Sequence, residues 1–215
     1  MLLAFDTATP AVTVALHDGT RVVAGESAVD ARRHGELLAA TIDKVLAAAG
    51  ATRRDLTAIA VGTGPGPYTG LRAGLVTARV LGSALGLPVD GICTLDVIAA
   101  DAVAHAGGGE FLVATDARRK ELYWARYSAG GQRLAGPQVS PMSELASGLP
   151  VAGQGALLYP ETGARPIEPQ YPAASRLAAL AAQRQAAGLP PAPAHPLYLR
   201  RPDAREPGRP KRVTP

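Results

Sequence analysis

The chain has 215 residues, of which 47% are hydrophobic and 19% charged, a globular balance that suits one large domain or two small ones. It lacks an apolar run of about 18 residues and a basic N-terminal leader, so we expect a cytoplasmic protein, and its single cysteine excludes a disulfide framework or a cysteine-rich zinc site. Residues 1–199 carry 16 basic and 16 acidic side chains, so the net charge of +4 lies entirely in residues 200–215 and the body does not resemble a stand-alone nucleic-acid binder.

The first 106 residues are predicted to form an α/β lobe that opens with a three-stranded antiparallel meander. Alternation of Val12, Val14 and Leu16 indicates the middle strand, and Asp18-Gly19 is a typical two-residue hairpin turn. Strands are predicted at 2–7, 11–17, 21–27, 56–62 and 88–93, and helices at 34–49, 70–85 and 94–105.

A second lobe is predicted over residues 107–200, after the Gly107–Gly109 boundary. The meander recurs there, which indicates a duplicated α/β unit. Strands are predicted at 110–115, 121–127 and 132–139, with weaker helix signals at 143–146 and 173–187. The apolar residues of 196–200 could dock on the body. We expect the proline-rich basic tail, residues 201–215, to be disordered and dispensable, although it could touch RNA electrostatically.

A glycine-rich loop, G-T-G-P-G-P-Y-T-G-L-R-A-G at 62–74, leads from a predicted strand into a helix. Backbone N–H groups at such a junction suit an anion, and the loop could alternatively be a stiff crossover in which glycines permit close packing. It is not a Walker A loop, because no Gly-Lys-Ser/Thr is present, and the spacing does not fit a dinucleotide fingerprint.

The helix after this loop carries small residues at every fourth position: Gly70, Gly74, Ala78 and Gly82. Since glycine inside a helix costs about 1 kcal/mol relative to alanine, this face predicts the close approach of a neighbour, either internal or a partner subunit. Thr69 is predicted to cap the helix, and Arg72 to reach an acid elsewhere.

One acid lies at the end of the first strand of each lobe, Asp6 in the first lobe and Asp116 in the second. In a nucleotide-binding α/β fold they would face a metal or a phosphate, and alternatively they cap turns. The histidines are isolated from one another, which does not favour a metal site. Cys93 is predicted to be a buried strand-end residue.

Five segments together resemble the bacterial TsaB (YeaZ) family over roughly residues 1–200. They are L-L-A-F-D-T-A-T-P at the N-terminus, R-R-H-G-E-L-L (32–38), G-P-G-P-Y-T-G-L-R-A-G (64–74), T-D-A-R-R-K-E-L-Y-W-A (115–125) and P-L-Y-L-R (196–200). The glycine loop departs mildly from the family's Gly-Pro-Gly-Ser-Phe-Thr-Gly-Leu-Arg, because Pro67 and Tyr68 replace its serine and phenylalanine.

The resemblance implies an α/β fold of the actin/Hsp70/sugar-kinase type with two related lobes. It also implies a role in forming N6-threonylcarbamoyladenosine at adenosine 37 of tRNA, as an accessory subunit rather than an enzyme. The expected partners are the paralogous transferase TsaD and a TsaE-like ATPase, with a homodimer when the chain is alone. We expect no cofactor on this chain, ATP and a metal on the partners, indirect contact with tRNA and none with membranes.

The resemblance also assigns residues. The metal-binding histidine pair of TsaD aligns with Thr94 and Ile98, which cannot replace imidazole ligands. The two first helices of the N-terminal lobe are the family's contact with TsaD, so we expect the partner interface at His34, Leu37, Leu38, Thr41, Gly70, Arg72, Gly74 and Ala78. A vestigial anion or nucleotide loop would comprise Asp6, Thr7, Gly64, Gly66, Thr69 and Asp116.

Two rival hypotheses remain. An active phosphotransferase of the same superfamily would bind ATP and depend on Asp6 and Asp116. A peptidase acting on the partner would need a nucleophile with an oriented base, and the sequence contains no legible Ser-His-Asp arrangement.

Overall fold

A computed structural model of the chain describes residues 1–30, 32–145, 148–160 and 164–200. The predicted tail, residues 201–215, lies outside these ranges, as does the last residue of the helix predicted at 143–146. The described residues form two five-stranded mixed sheets with helices on their faces. None of the described helices is long and apolar enough to cross a membrane.

The first sheet has the strand order β3-β2-β1-β4-β5. Strands β1 to β3 form the predicted antiparallel meander, and β4 and β5 extend it in parallel. Its strands are β1 (Leu2–Asp6), β2 (Ala11–His17), β3 (Val22–Val29), β4 (Ala58–Gly62) and β5 (Val89–Ile92). The helices of this half are α1 (His34–Ala48), α2 (Tyr68–Leu85) and α3 (Thr94–Ala102).

The second sheet repeats this topology in the order β10-β9-β6-β7-β8, with an antiparallel meander and two parallel strands. Its strands are β6 (Phe111–Asp116), β7 (Glu121–Tyr127), β8 (Arg133–Pro141), β9 (Pro150–Ala152) and β10 (Arg165–Pro166). The remaining helices are α4 (Gly155–Leu158) and α5 (Ala174–Ala186). The predicted duplication is therefore confirmed, and the helix predicted near 143–146 is a short 3-10 turn at Met142–Glu144.

The largest core lies between the first sheet and helices α1 and α2. Leu38, Ile42 and Val45 of α1 are buried there with Phe5 and Val61. The apolar stripe predicted on α1 thus faces the first sheet, where the helix contacts β2 and β3. This packing fixes α2 directly beside the end of β1.

Two helices cross between the halves of the chain. Helix α3, from the first half, packs through Leu95 and Ile98 on the core of the second sheet. Helix α5, from the second half, packs through Leu177 and Ala178 on the other face of the first sheet. The division into lobes at Gly107–Gly109 stays a prediction, since side-chain packing continues across it.

The first hairpin turn is displaced by one residue from its predicted place. The Asp18 amide donates to Arg21 O at 3.0 Å, so the two central residues are Gly19 and Thr20. The Asp18 carboxylate accepts the amides of Thr20 and Arg21, which stabilises this register.

Candidate functional site

The glycine-rich loop runs from Gly62 at the end of β4 to Tyr68 at the start of α2, and it packs against the turn after β1. A Cβ on Gly62 would collide with the Asp6 carboxylate, and one on Gly66 would collide with the Ala8 carbonyl. Gly64 has a φ of +84°, a conformation that side chains rarely adopt. These glycines therefore allow the loop backbone to approach the turn after β1. The space that their side chains would need is occupied by atoms of the chain itself.

Thr7 joins β1 to α2 through its side chain. Its hydroxyl donates to Gly70 O at 2.7 Å and accepts the Gly74 amide at 3.0 Å. The hydroxyl thus bridges two groups that an ordinary helical turn would pair with each other. Such an insertion needs the helix backbone within hydrogen-bond distance of the strand, which only residues without side chains allow.

The small face of α2 is consequently an internal contact. A Cβ on Gly70 would lie 2.5 Å from Thr7 O, one on Gly74 would lie 2.6 Å from Thr7 Oγ1, and Ala78 is fully buried. The prediction that Gly70, Gly74 and Ala78 form a partner interface is wrong. Four-residue spacing shows which residues share a face, and here the neighbour is the chain's own sheet.

Most predicted interface residues of α1 are also buried. Leu38 belongs to the first core, and Thr41 donates its hydroxyl to Leu37 O at 2.6 Å, while Leu37 itself is half-buried. His34 is buried and its Nε2 lies 2.8 Å from Thr9 O. Only Leu37 of this α1 set retains a partly open side chain for a partner.

The face of α2 that turns away from the sheet is open. Val76 and Val80 lie one helical turn apart and are 57% and 60% exposed. Sequence reasoning missed this pair, although two β-branched apolar residues four positions apart, next to the basic residues Arg72 and Arg79, indicate an exposed apolar surface on the helix. They are exposed apolar positions of α2 that a partner could cover.

Both acids of the predicted anion site cap their own turns. Asp6 is fully buried, where Oδ1 accepts the Ala8 amide and Oδ2 accepts the Thr94 hydroxyl, each at 2.7 Å. Burial raises the pKa of Asp6, and the two hydrogen bonds oppose this rise. Asp116 accepts the Arg118 amide at 2.7 Å and pairs with the Arg118 guanidinium at 3.3 Å.

The remaining members of the predicted anion loop lie at the N-terminus of α2. Pro67 occupies the N-cap, so the prediction that Thr69 caps the helix is wrong, because the helix begins two residues earlier than its apolar pattern indicates. Thr69 is exposed in the first turn and lines a cavity of about 180 Å³ with Thr7, Gly70, His34 and Arg118. A weak anion site at this cavity stays a prediction.

The positions that align with the metal-binding pair of TsaD do not fit a metal. The Thr94 hydroxyl accepts the Gly64 amide at 3.1 Å in addition to its bond with Asp6, and Ile98 is fully buried in the second core. Among the described residues no group of three His, Cys, Asp or Glu could hold a metal ion. Burial raises the pKa of the Cys93 thiol to about 12, which makes it a poor nucleophile at neutral pH.

The apolar segment at 196–200 docks on the body, as the sequence predicted. The Leu197 amide donates to Thr63 O at 2.9 Å, and Arg72 Nε donates to the Tyr198 hydroxyl at 2.9 Å. The Arg72 guanidinium also lies 3.7 Å from the centre of the Tyr68 ring. The expectation that Arg72 reaches an acid was wrong, because a stacked ring and a phenol satisfy it instead.

Solved structures establish the class of protein. The fold matches the activator of 2-hydroxyisocaproyl-CoA dehydratase from Clostridium difficile at 10% identity, over 87% of this chain and 97% of that one, with a TM-score of 0.50. It matches a Pseudomonas aeruginosa protein with similarity to the peptidase YeaZ at 32% identity, over 93% of this chain and 99% of that one, with a TM-score of 0.79. The two equivalent sheets therefore belong to an α/β protein of the actin/sugar-kinase-like fold.

Sequence comparisons narrow the class to a family. A model of the TsaD family, described as tRNA N6-adenosine threonylcarbamoyltransferase, matches residues 26–190. An uncharacterized Mycobacterium tuberculosis protein is 46% identical over 95% of this chain and 93% of its own. The Escherichia coli tRNA threonylcarbamoyladenosine biosynthesis protein TsaB is 32% identical over 93% of this chain and 94% of its own. The chain belongs to the TsaB (YeaZ) family.

Proposed function

We propose that this chain is a non-catalytic accessory subunit that pairs with a TsaD-type transferase in the formation of N6-threonylcarbamoyladenosine in tRNA. The names of its TsaB relatives support a role in tRNA threonylcarbamoyladenosine biosynthesis. Its match to the TsaD family model is consistent with this chain and TsaD being paralogues that pair. A TsaE-like ATPase in the larger assembly, and a homodimer when the partner is absent, are further parts of this proposal.

The observation that carries the non-catalytic role is the bonding of Asp6. Both of its oxygens accept hydrogen bonds from the chain itself, and the Thr94 hydroxyl that would otherwise be available is held between Asp6 and Gly64. A carboxylate that binds a metal or orients a phosphate needs an oxygen open to that ligand. ATP and metal chemistry therefore belong to the partner subunits in this proposal.

The outward face of α2, with Val76 and Val80, is the surface that the partner would cover. When a second protein surface removes exposed apolar side chains from water, the free energy of the complex is lowered. Leu37 of α1 and the end of α2 at Leu85, which is 36% exposed, would extend this surface. We therefore propose the interface on the outward face of α2, whereas the sequence analysis predicted it on the small face.

Mixing the purified chain with its TsaD homologue tests the pairing, with mass measured by size-exclusion chromatography and light scattering. We expect a heterodimer that the double change Val76→Glu, Val80→Glu weakens at least tenfold in titration calorimetry, because each charge would be buried unpaired. Leu134→Glu, on an equally apolar and 45% exposed position of β8, is the matched control.

A stable complex in the double variant would contradict the proposed interface. Tight ATP binding by the chain alone would contradict the non-catalytic role and favour the phosphotransferase instead. Thermal unfolding of each variant shows whether the monomer is intact, so that loss of folding is not read as loss of binding.

A further inference from the structure

A surface at the N-terminus of α2 combines aromatic rings with guanidinium groups, where residues 196–200 dock on the body. We call it the tyrosine–arginine patch: Tyr68, Arg72, Arg118, Tyr198 and Arg200. These residues line one cavity of about 540 Å³. Tyr68 and Tyr198 are 52% and 46% exposed, and their rings stack with centroids 5.5 Å apart.

Stacking in the patch is extended by a cation. Arg72 covers one ring and holds the hydroxyl of the other, so guanidinium and two phenol rings form a short ladder. Two half-exposed tyrosines held rigidly in this way are a stacking platform, which proteins that bind single-stranded nucleic acids use. Tyr198 is about half exposed, so part of its ring faces solvent.

The charge of the patch is positive after its ion pairs are counted. Arg118 is paired with Asp116, and Arg200 with Glu121, whereas Arg72 is held by the two tyrosines. Lys120 is a further basic residue at the tip of the β6–β7 hairpin. Residues 201–215 carry five basic and two acidic residues by sequence and lie outside the described residues, so the patch is defined without them.

The hairpin tip holds its basic residues in an unusual backbone conformation. Arg118, Arg119 and Lys120 have φ values of 64°, 56° and 62°. These values lie in the left-handed region, which residues other than Gly, Asn and Asp avoid. Three such residues in succession, all basic and all exposed, are an arrangement that folding alone does not favour. Strained backbone that persists in this way is typical of functional sites.

We infer that the tyrosine–arginine patch binds single-stranded RNA, specifically the anticodon loop of the tRNA that the proposed function assigns as substrate. Bases would stack on Tyr198, and phosphates would contact Arg118 and Lys120. The inference rests on the proposed function for the choice of RNA, and on the patch itself for the mode of binding. An acidic peptide would use the cations but would gain little from two half-exposed rings, so RNA is the ligand that uses the whole surface.

Fluorescence anisotropy of the full chain with a labelled, unmodified anticodon stem-loop RNA tests the inference. Tyr198→Leu should weaken binding about tenfold, whereas Tyr198→Phe keeps the ring, loses only the hydrogen bond to Arg72 and should bind more tightly than Tyr198→Leu. Arg118→Asn removes one charge in a residue type that tolerates positive φ, and Asp116 still caps the backbone amide. It should lower the slope of log affinity against log salt by about 0.7.

The control is Arg54→Gln, which removes one charge next in sequence to Asp55, whose carbonyl accepts the Met1 amino group at the opposite end of β1. We expect no effect on RNA binding. A duplex RNA of the same length should bind more weakly, because it offers no free bases. Deletion of residues 202–215 separates the charge of the tail from that of the patch, and the effect of Tyr198→Leu should persist in the shortened chain.

The outcomes separate this inference from the proposed function. Equal RNA affinity of Tyr198→Leu and the parent would overturn the inference, and so would binding that disappears with the tail alone. Loss of pairing with the TsaD homologue in Tyr198→Leu, with RNA affinity retained, would identify the patch as a protein interface and also overturn it. RNA binding through the patch by a chain that does not pair with TsaD would uphold the inference while the accessory function fails.

Discussion

Gly74 lies opposite Thr7 at the end of β1, and it shows at the scale of one residue why this helix contains glycine. Its amide donates to Thr7 Oγ1, and a Cβ at this position would lie 2.6 Å from that same oxygen. Glycine is required at this position by the Thr7 side chain that contacts it, and not by the helix to which it belongs.

We expect Gly74→Ala to destabilise the chain although alanine favours helices. Overpacking costs about 1–3 kcal/mol and the helix propensity returns about 1 kcal/mol, so the free energy of unfolding should fall. Urea denaturation measures it. Gly35→Ala in α1 is the matched control, because nothing lies within 4 Å of its Cβ position, and it should be neutral or stabilising. An unchanged midpoint for Gly74→Ala would contradict the packing.

Asp6 should make stability depend on pH. Its folded pKa is raised above the ordinary value of 3.8, so its contribution to stability is fully present at low pH and is lost as the pH rises from about 3.8 through the raised pKa. Asp6→Asn cannot ionise. The free energy of unfolding of the parent, relative to this variant, should therefore fall with rising pH over that interval. A constant difference between the two proteins across the range would exclude an ionisable, desolvated carboxyl.

At the scale of elements, the junction between β1 and α2 depends on one hydroxyl. Thr7 Oγ1 satisfies the Gly70 carbonyl and the Gly74 amide inside the protein, 63 and 67 residues away in sequence. Buried backbone groups that lose a partner cost more free energy than a hydrogen bond contributes on average. These two hydrogen bonds of Thr7, which we call the Thr7 clamp, thus fix the orientation of α2 and with it the positions of Val76 and Val80.

Thr7→Val keeps the shape of the side chain and removes this clamp. We expect a loss of about 1–3 kcal/mol in the free energy of unfolding and faster hydrogen exchange at the Gly74 amide. Thr7→Ser, which retains the hydroxyl, should exchange at nearly the parent rate. If valine and serine behave alike at that amide, the hydroxyl does not carry the contact.

At the scale of the whole molecule, the segment after α5 ties both sheets together. The Gly91 amide donates to Ala192 O, the Leu197 amide donates to Thr63 O, and Arg200 donates to Ala117 O, each at 2.9 Å. The first two contacts lie on the first sheet and the third lies beside the second sheet. Residues 190–200 therefore belong to the fold, despite their high content of proline.

Two truncations test where the folded chain ends. Deletion of residues 202–215 should leave both the melting temperature and tRNA modification in a reconstituted assay unchanged. Deletion of residues 190–215 should lower the melting temperature by several degrees, because it exposes the contacts of the segment on both sheets. A large loss of modification in the shorter deletion would show that the tail has a role of its own.

Much of the fold could be predicted because its helices and strands depend on the local periodicity of apolar residues. The meander of β1 to β3, its recurrence in β6 to β8 and the stripe of α1 follow from the period of apolar residues. The short strands β9 and β10 were missed, since two or three residues carry no period, and the exchange of α3 and α5 was missed, since it joins residues far apart in sequence.

The candidate site was predicted less well than the fold. The loop, the two helices and the docking of Tyr198 were identified, whereas the small face of α2 was assigned to a partner and Arg72 to an acid. In each case the sequence showed the residue types correctly and could not show what lies opposite them. Helical spacing predicts that Gly70, Gly74 and Ala78 share a face, and it is equally compatible with an internal neighbour and an external one.

The sequence by itself determined the α/β elements, the repeat of two related units and the family, because these depend on local period and on motifs that follow one another along the chain. Only the tertiary structure decided which surfaces are open and whether the acids are free. Thr94 meets Asp6 across 88 residues, and Thr7 meets Gly74 across 67. Contacts at such separations are set by how the sheet packs on its helices, and that packing is a property of the whole folded chain.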